Sequence, residues 1–147
     1  MDGTRPPHQP RVHLIKLAVG VRDFAHLAAI QQARAAATPP LRHLTRNFPK
    51  RTEELLAGGS IYWVIGGLIS ARQLLAGVER AAEADGTPCT ALVLNPALVQ
   101  VAPRPMRAFQ GWRYLAPQDA PPDLGADGGD AAMPEEMRRQ LAALGLL

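Results

Sequence analysis

The sequence predicts an α+β fold in which a small mixed or antiparallel sheet is combined with two or three short helices. Residues 12–19, 60–65 and 89–94 are apolar or alternate between apolar and polar side chains, which is typical of strands. A helical spacing of apolar residues lies between the first two of these runs. With 147 residues, 47% of them hydrophobic, the chain has the size of one domain whose core requires no metal or disulfide.

The first elements follow from local signals. Residues 12–19 begin with alternating and continue with apolar side chains, and Gly20 ends this strand. Asp23 is a suitable N-cap for a helix that carries Phe24 and Leu27 on one face and ends before Pro39. Residues 49–59 predict a second helix, because acidic residues occupy its first turn and glycines follow its end.

The later segments differ in how clearly their sequence indicates a strand, a helix or a turn. Residues 60–65 are the most strand-like run, whereas 68–78 fit a strand or a helix equally well. Asp85 and Gly86 predict a turn before the strand 89–94, which 98–101 extend. A short aromatic segment follows at 109–115. Beyond Ala116 we expect a loop, and 134–146 predict a short amphipathic helix.

Charge and composition divide the chain into three parts. We expect a flexible arm at 1–10, a single globular domain at 11–118 and an acidic, Pro/Gly-rich tail at 119–147. Residues 1–118 carry a formal charge of +7 and residues 119–147 carry −4. A basic body of this kind favours an anionic partner, and the tail is able to compete for the same surface.

The sequence also favours a cytoplasmic protein that makes no membrane contact. Its first residues are polar and proline-rich, without an apolar segment behind a basic start. The apolar run 61–69 is too short to span a bilayer. The single cysteine, Cys89, cannot form an internal disulfide, and we expect it to fill a small space in the core.

Known catalytic and metal-binding motifs do not occur. The chain has no phosphate-binding P-loop, no Gly-x-Ser-x-Gly elbow, no Cys-x-x-Cys and no His-Glu-x-x-His. We therefore predict no catalytic residue, no metal and no cofactor. His26 lies three residues after Asp23, and this pair is more typical of a surface helix than of half a metal site. His13 is expected to be a solvent-facing or hydrogen-bonded strand residue.

Three segments predict a surface that binds an anion. The basic run 43–51 leads into the second helix, whose free N–H groups attract anions, although Arg46 and Lys50 can also pair with Glu53, Glu54 and the tail. On the strand 60–65 we expect Trp63 in the core and Tyr62 at an edge. Arginines and rings alternate at 104–114, as in proteins that stack bases, or Trp112 closes the sheet with Arg113 stacked on it. The predicted ligand-binding residues are His43, Arg46, Lys50, Arg51, Tyr62, Trp63, Arg72, Arg107, Trp112 and Arg113.

The same segments resemble an uncharacterised bacterial family designated DUF1489. The resemblance spans roughly 12–124 and rests on the runs 12–17, 45–46, 49–51, 58–64, 72–73 and 109–115. It implies no activity. The order of short helix, glycines and aromatic strand at 49–64 is also similar to the opening of PUA- and ASCH-like barrels, which commonly bind RNA. The chain has Gly58-Gly59-Ser60 where ASCH domains carry Gly-x-Lys-Thr.

Three functions are compatible with these patterns. The first is a non-catalytic binding module for RNA or another phosphate-bearing ligand. The second is a small enzyme for an anionic substrate, with His43 or His13 as general base and Arg46 as a clamp. The third is a protein-assembly partner whose basic face docks an acidic protein.

Overall fold

The computed structural model describes residues 11–124, which form six strands, two α-helices and one 3₁₀-helix. In chain order these elements are β1 (His13–Leu17), α1 (Phe24–Ala37), β2 (Arg42–Thr45), α2 (Thr52–Leu56), β3 (Ser60–Ile65), β4 (Leu68–Ala82), β5 (Pro88–Pro105), β6 (Trp112–Leu115) and the 3₁₀-helix (Pro117–Asp119). The predicted α+β class with a small mixed sheet is confirmed. The predicted arm at 1–10 and helix at 134–146 lie outside the described residues.

All six strands belong to one sheet with the order β2-β5-β4-β3-β1-β6. Only β1 and β3 pair in parallel, because the chain crosses over through α1, β2 and α2 between them. The remaining pairs are antiparallel. Register shifts interrupt the β4–β5 ladder at three places, and such bulges bend the strands. The sheet therefore curls into a half-barrel.

The sheet is packed on both faces. On the front face, Ile61 and Trp63 of β3 join Leu14 of β1 and residues of both helices, including Leu27 and Leu55. The rear face holds a second core. Its buried residues are Ile15, Tyr62, Val64, Ile69, Val101 and Leu115. Strand β3 is thus buried along its whole length, which explains why both faces of this strand are apolar or aromatic in sequence.

Most predicted elements are found, with different lengths. The strand 60–65 and the helix that begins after Asp23 are confirmed. The ambiguous segment 68–78 is part of the strand β4, and the two predicted runs 89–94 and 98–101 form one 18-residue strand, β5. The second helix is only five residues long, since its predicted first turn is a loop fixed by contacts to β6.

Helix α2 and strands β1 and β3 meet at Gly59. A Cβ atom at this position would overlap the carbonyl oxygens of Val12 and Leu55, so only glycine permits the backbones to approach this closely. The Gly59 amide donates to the Leu55 carbonyl at 2.8 Å, and its own carbonyl accepts from the Leu75 amide at 3.0 Å. The glycine thus joins the helix end to the sheet.

A buried polar network links helix α1 to the sheet. The side-chain amides of Gln31 and Gln73 exchange two hydrogen bonds of 2.9 and 2.6 Å, and the indole N–H of Trp63 donates to Gln73 Oε1 at 3.1 Å. All three side chains are buried. Since buried polar groups are costly without partners, this network fixes the helix and the indole relative to each other.

Among residues 11–124, no helix combines the length and the apolar character needed to cross a membrane.

We predict that Gln73→Ala lowers the free energy of unfolding by about 3 kcal/mol, because it leaves the Gln31 amide and the Trp63 N–H without partners in the core. Urea unfolding measures this loss. The matched control is Gln32→Ala on the exposed side of α1, which should change stability by no more than about 0.5 kcal/mol. Equal effects of the two substitutions on the free energy of unfolding would contradict the stabilising role of this network.

Candidate anion-binding site

A cleft opens on the front face where helix α1 passes over the edge strand β2. We call it the front cleft and define it by Lys16, Gln31, Arg34, Arg42, His43 and Trp63. Its inner part has a volume of about 120 Å³, and an open groove of about 610 Å³ between the end of α1 and β2 shares Arg34, Arg42 and His43 with it. A water molecule occupies about 30 Å³ of liquid, so the inner part has room for an anionic group such as phosphate.

His43 lines both parts of the cleft. Its ring meets the Trp63 ring edge-on, with centroids 5.1 Å apart and an interplanar angle of 82°. Desolvation, and secondly the charges of Lys16 and Arg34, lower its pKa from 6.5 to about 4, so the ring is neutral. The Nε2 atom is buried and has no hydrogen-bond partner among residues 11–124. An orphaned buried nitrogen of this kind indicates a place for a water molecule or a ligand atom.

Three cations reach the cleft from separate elements. Lys16 lies on β1 beside Trp63, Arg34 lies in the last turn of α1, and Arg42 begins β2. No carboxylate lines the cleft, and no ion pair to these cations is found within residues 11–124. Lys16 is partly buried, and desolvation lowers the pKa of its ammonium group. An uncompensated, partly desolvated cation attracts an anion strongly.

The basic loop that follows β2 is held beside this cleft. The indole N–H of Trp112 donates to the Asn47 carbonyl at 3.0 Å, and Trp112 pairs with Lys16 across the β1–β6 ladder. The Tyr114 hydroxyl accepts from the Lys50 and Arg51 amides at 2.9 and 3.0 Å. These contacts bring the loop against β6 at the open side of the half-barrel.

The structure bears on two expectations for this loop. The Tyr114 hydroxyl accepts from the Lys50 and Arg51 amides, which precede the helix start at Thr52, so these two amides already have a partner, while the anion site at the amino end of the second helix stays a prediction. Arg51 itself donates to Glu54 at 2.6 and 2.9 Å and lies over the Tyr114 ring. It is the cation that Glu54 neutralises, whereas the sequence suggested Arg46 and Lys50.

The structure divides the predicted ligand-binding residues between the two faces. His43 and Trp63 line the front cleft, and Trp112 anchors the loop that carries the exposed residues Arg46 and Lys50. Arg51 lies on this side but is paired. The remaining predicted residues belong to the rear face, where β6 and the loop 106–109 pack against the second core. They are Tyr62, Arg72, Arg107 and Arg113.

The rear-face residues differ from the sequence expectations in detail. Tyr62 is buried with 4% exposure, so it is neither at an edge nor free to stack on a base. Arg72 forms an ion pair with Asp123, at 2.6 Å and 2.8 Å. The guanidinium of Arg113 lies over the ring of Phe109, 4.9 Å from its centroid, and not over Trp112.

The histidine–aspartate pair on α1 has a structural role. The Asp23 side chain accepts from the His26 amide at 2.8 Å, and the His26 ring accepts from the Arg22 amide at 3.0 Å. This reciprocal pattern caps the helix. No cluster of three potential metal ligands occurs in the stretch from Arg11 to Leu124. Cys89 is buried, as the sequence predicts.

Sequence reasoning did not select the three cations of the front cleft. Lys16 lies on the same face of β1 as Leu14, so the alternation places a lysine on a core-facing side. On α1, Leu27, Gln31 and Arg34 form one stripe at helical spacing in which only the first residue is apolar. A polar or charged residue at a position whose spacing places it on a core-facing side was the sequence signal for this cleft.

We predict that His13 and His43 make stability depend on pH. Both pKa values are lowered from 6.5 to about 4, in each case mainly by desolvation. Between pH 6.5 and pH 4 the unfolded chain binds protons at these rings and the folded chain does not, so the free energy of unfolding falls as pH falls. Above pH 6.5 both states are neutral and this effect vanishes.

The measurement is urea unfolding across this pH window for the parent chain and for the double variant His13→Gln/His43→Gln. The variant should show a flatter curve than the parent, because the two titrating groups are gone. Identical slopes would show that these rings titrate alike in the folded and unfolded states.

One comparison with known proteins confirms the family that the sequence resembles and extends the match beyond residue 124 into the predicted tail. A search of curated proteins found no match, nor did a search of solved structures. The similarity to PUA- and ASCH-like barrels therefore stays a prediction. A family model described as "Protein of unknown function (DUF1489)" matches residues 14–147. The match covers most of the chain, and the chain belongs to the DUF1489 family.

Proposed function

We propose that this protein is a non-catalytic binding module for a phosphate-bearing ligand, which it holds in the front cleft. One observation carries the proposal. Lys16, Arg34 and Arg42, from three elements, line a cleft in which no carboxylate is found among residues 11–124, and His43, which also lines it, has a buried Nε2 atom without a hydrogen-bond partner among those residues.

The chemistry of the cleft suits phosphate. Each arginine offers a planar pair of donors that matches two phosphate oxygens, and the lysine adds a compact charge. The neutral His43 ring offers either an N–H donor or a lone pair at Nε2, and a phosphate group with one hydroxyl pairs with both forms. A bound dianion would also reduce the repulsion between the partly buried Lys16 ammonium group and the two exposed guanidinium groups.

The size of the cleft suggests how the rest of the ligand is placed. The inner part accommodates one phosphate group, whereas the groove beyond it is lined by Ala33, Ala37, Thr38 and Leu44 as well as the two arginines. These small and apolar side chains are suitable for a sugar, a base or an acyl group. A mononucleotide-sized ligand fits this division into an anionic end and a less polar end.

RNA is a polymer of such mononucleotides. The exposed cations of the loop after β2 favour RNA as the ligand. Arg46 and Lys50 are exposed on the loop whose Asn47 carbonyl accepts from Trp112, the cross-strand neighbour of Lys16. A strand whose phosphate occupied the front cleft would pass these two cations. Binding of this type weakens steeply as salt is added, because each neutralised phosphate releases counterions.

A catalytic role is a second candidate, favoured by the same histidine. A neutral imidazole with an unpartnered nitrogen beside cationic side chains is able to accept a proton from an anionic substrate. Arg34 or Arg42, not Arg46, would then be the clamp, because only the first two line the cleft. Turnover of a ribonucleotide substrate that His43→Gln abolishes without loss of phosphate binding would establish this role.

We predict that inorganic phosphate binds at the front cleft. In a titration followed by amide chemical shifts, the largest changes should occur at Arg42, His43 and Leu44. The double variant Arg34→Gln/Arg42→Gln should bind at least about tenfold more weakly, since a hydrogen bond to a charged group contributes about 1.5–3 kcal/mol. The matched control, Arg107→Gln, removes an exposed rear-face arginine and should not change the affinity.

A mixed oligoribonucleotide at two ionic strengths tests the RNA form. Arg46→Gln/Lys50→Gln should weaken oligoribonucleotide binding and reduce its salt dependence, while phosphate binding is unaffected. If phosphate binds in the cleft and the oligoribonucleotide does not compete for it, the ligand is a small molecule. Phosphate shifts that persist unchanged in the Arg34→Gln/Arg42→Gln variant would overturn the proposal itself.

A further inference from the structure

A second polar cleft lies on the rear face of the sheet. We call it the rear cleft and define it by Arg11, His13, Ser60, Tyr62, Arg72 and Asp123. Its volume is about 680 Å³, and prolines at 117, 121 and 122 form one wall. His13 and Lys16 are three residues apart on β1, so they point to opposite faces of the sheet. The two clefts are therefore separate sites.

The His13 ring is fixed by the backbone. Its Nδ1 atom accepts from the Ser60 amide at 3.0 Å, and its ring meets the Tyr62 ring edge-on at 5.1 Å. Desolvation, followed by the charges of Arg11 and Arg72, lowers its pKa to about 4, so the ring is neutral. Because Nδ1 is the acceptor, the proton of the neutral ring is on Nε2, which is a donor.

Arg11 is placed by the glycine pair at the end of α2. A Cβ atom on Gly58 would lie 3.7 Å from the guanidinium, so the guanidinium packs against the Gly58 backbone. No ion pair to Arg11 occurs in the described part of the chain. In Arg72, in contrast, each of the three guanidinium nitrogens has a partner. Two of its nitrogens bind Asp123 and the third donates to Ser60 Oγ at 3.1 Å.

Asp123 reaches Arg72 from the segment that follows the 3₁₀-helix. This segment is paired to β5, where the Ala102 amide donates to the Pro122 carbonyl at 2.8 Å and the Leu124 amide donates to the Gln100 carbonyl at 2.9 Å. The two oxygens of the Asp123 carboxylate occupy the guanidinium fork as an external oxyanion would. The cleft therefore contains two guanidinium groups and one carboxylate.

We propose that the rear cleft is a second ligand site, which binds a small oxyanion through Arg11, the Nε2–H of His13 and the hydroxyl of Tyr62. The carboxylate of Asp123 compensates Arg72 and leaves the charge of Arg11 for the ligand. Burial raises the pKa of the Tyr62 hydroxyl, so this group remains a donor, and no hydrogen bond to it is found within residues 11–124. Three donors with one net positive charge match a carboxylate or phosphate group.

The proposal predicts opposite effects of two substitutions. Arg11→Gln removes the ligand's charged partner and should weaken binding about tenfold. Asp123→Asn frees the fork of Arg72 and removes a negative charge from the cleft, so it should tighten binding about tenfold. A merely structural Asp123 would give no gain of affinity.

The experiment titrates sodium acetate and, separately, inorganic phosphate into the chain that carries Arg34→Gln/Arg42→Gln, so that the front cleft is disabled. The amides of Gly58 and Ser60 report the rear cleft, and those of His43 and Leu44 report the front cleft. A bound oxyanion should also raise the pKa of the His13 ring, read from its ring-proton shifts. The anion that binds with the higher affinity identifies the chemical group that the site prefers.

The outcomes separate the two proposals. Shifts at Gly58 and Ser60 that respond to Arg11→Gln and Asp123→Asn as stated support the rear site even if the front cleft binds nothing. An Arg11→Gln chain with an intact amide spectrum and unchanged affinity would overturn it, as would the absence of rear-cleft shifts with either anion. Neither result would affect the phosphate binding proposed for the front cleft.

Discussion

The position of the Trp63 indole is the constraint on which the front face depends. Its N–H is bound to Gln73, which is joined to Gln31 on α1, and its ring meets His43 on β2. Its neighbour on β1 is Lys16. One buried side chain of β3 thus links this strand to four other elements, three of which carry the cations of the front cleft. A polar network of this kind specifies one arrangement because any shift leaves a buried amide or indole unpaired.

The curl of the sheet gives its two faces different electrostatic properties. On the front face, Lys16, Arg34 and Arg42 share a cleft without a carboxylate, so the positive charge is uncompensated among the described residues. In the rear cleft, Asp123 neutralises Arg72, and Arg11 is the lining cation for which no ion pair is found among residues 11–124. Both faces contain a histidine whose desolvation keeps it neutral. Part of the basic character of the sequence is therefore found in two separate clefts.

The sequence allowed the fold class, β3, α1 and the structural use of Cys89 to be predicted, because alternation, capping and residue size are local signals. His43 was selected for its basic neighbourhood, and it does line the cleft. Lys16, Arg34 and Arg42 were not selected as a group, since their convergence depends on the parallel β1–β3 register and on α1 crossing β2. The pairing of Arg72 with Asp123 spans 51 residues and has no local signal either.

A crystal structure of the protein soaked with tungstate, an electron-dense oxyanion with the shape of phosphate, tests the central claim most directly. The account predicts a tungstate ion in the inner part of the front cleft, within hydrogen-bond reach of Lys16 and at least one of Arg34 and Arg42, with His43 Nε2 facing it. An empty front cleft in a crystal that binds tungstate elsewhere would contradict the account, because the three cations would then fail to act as one site.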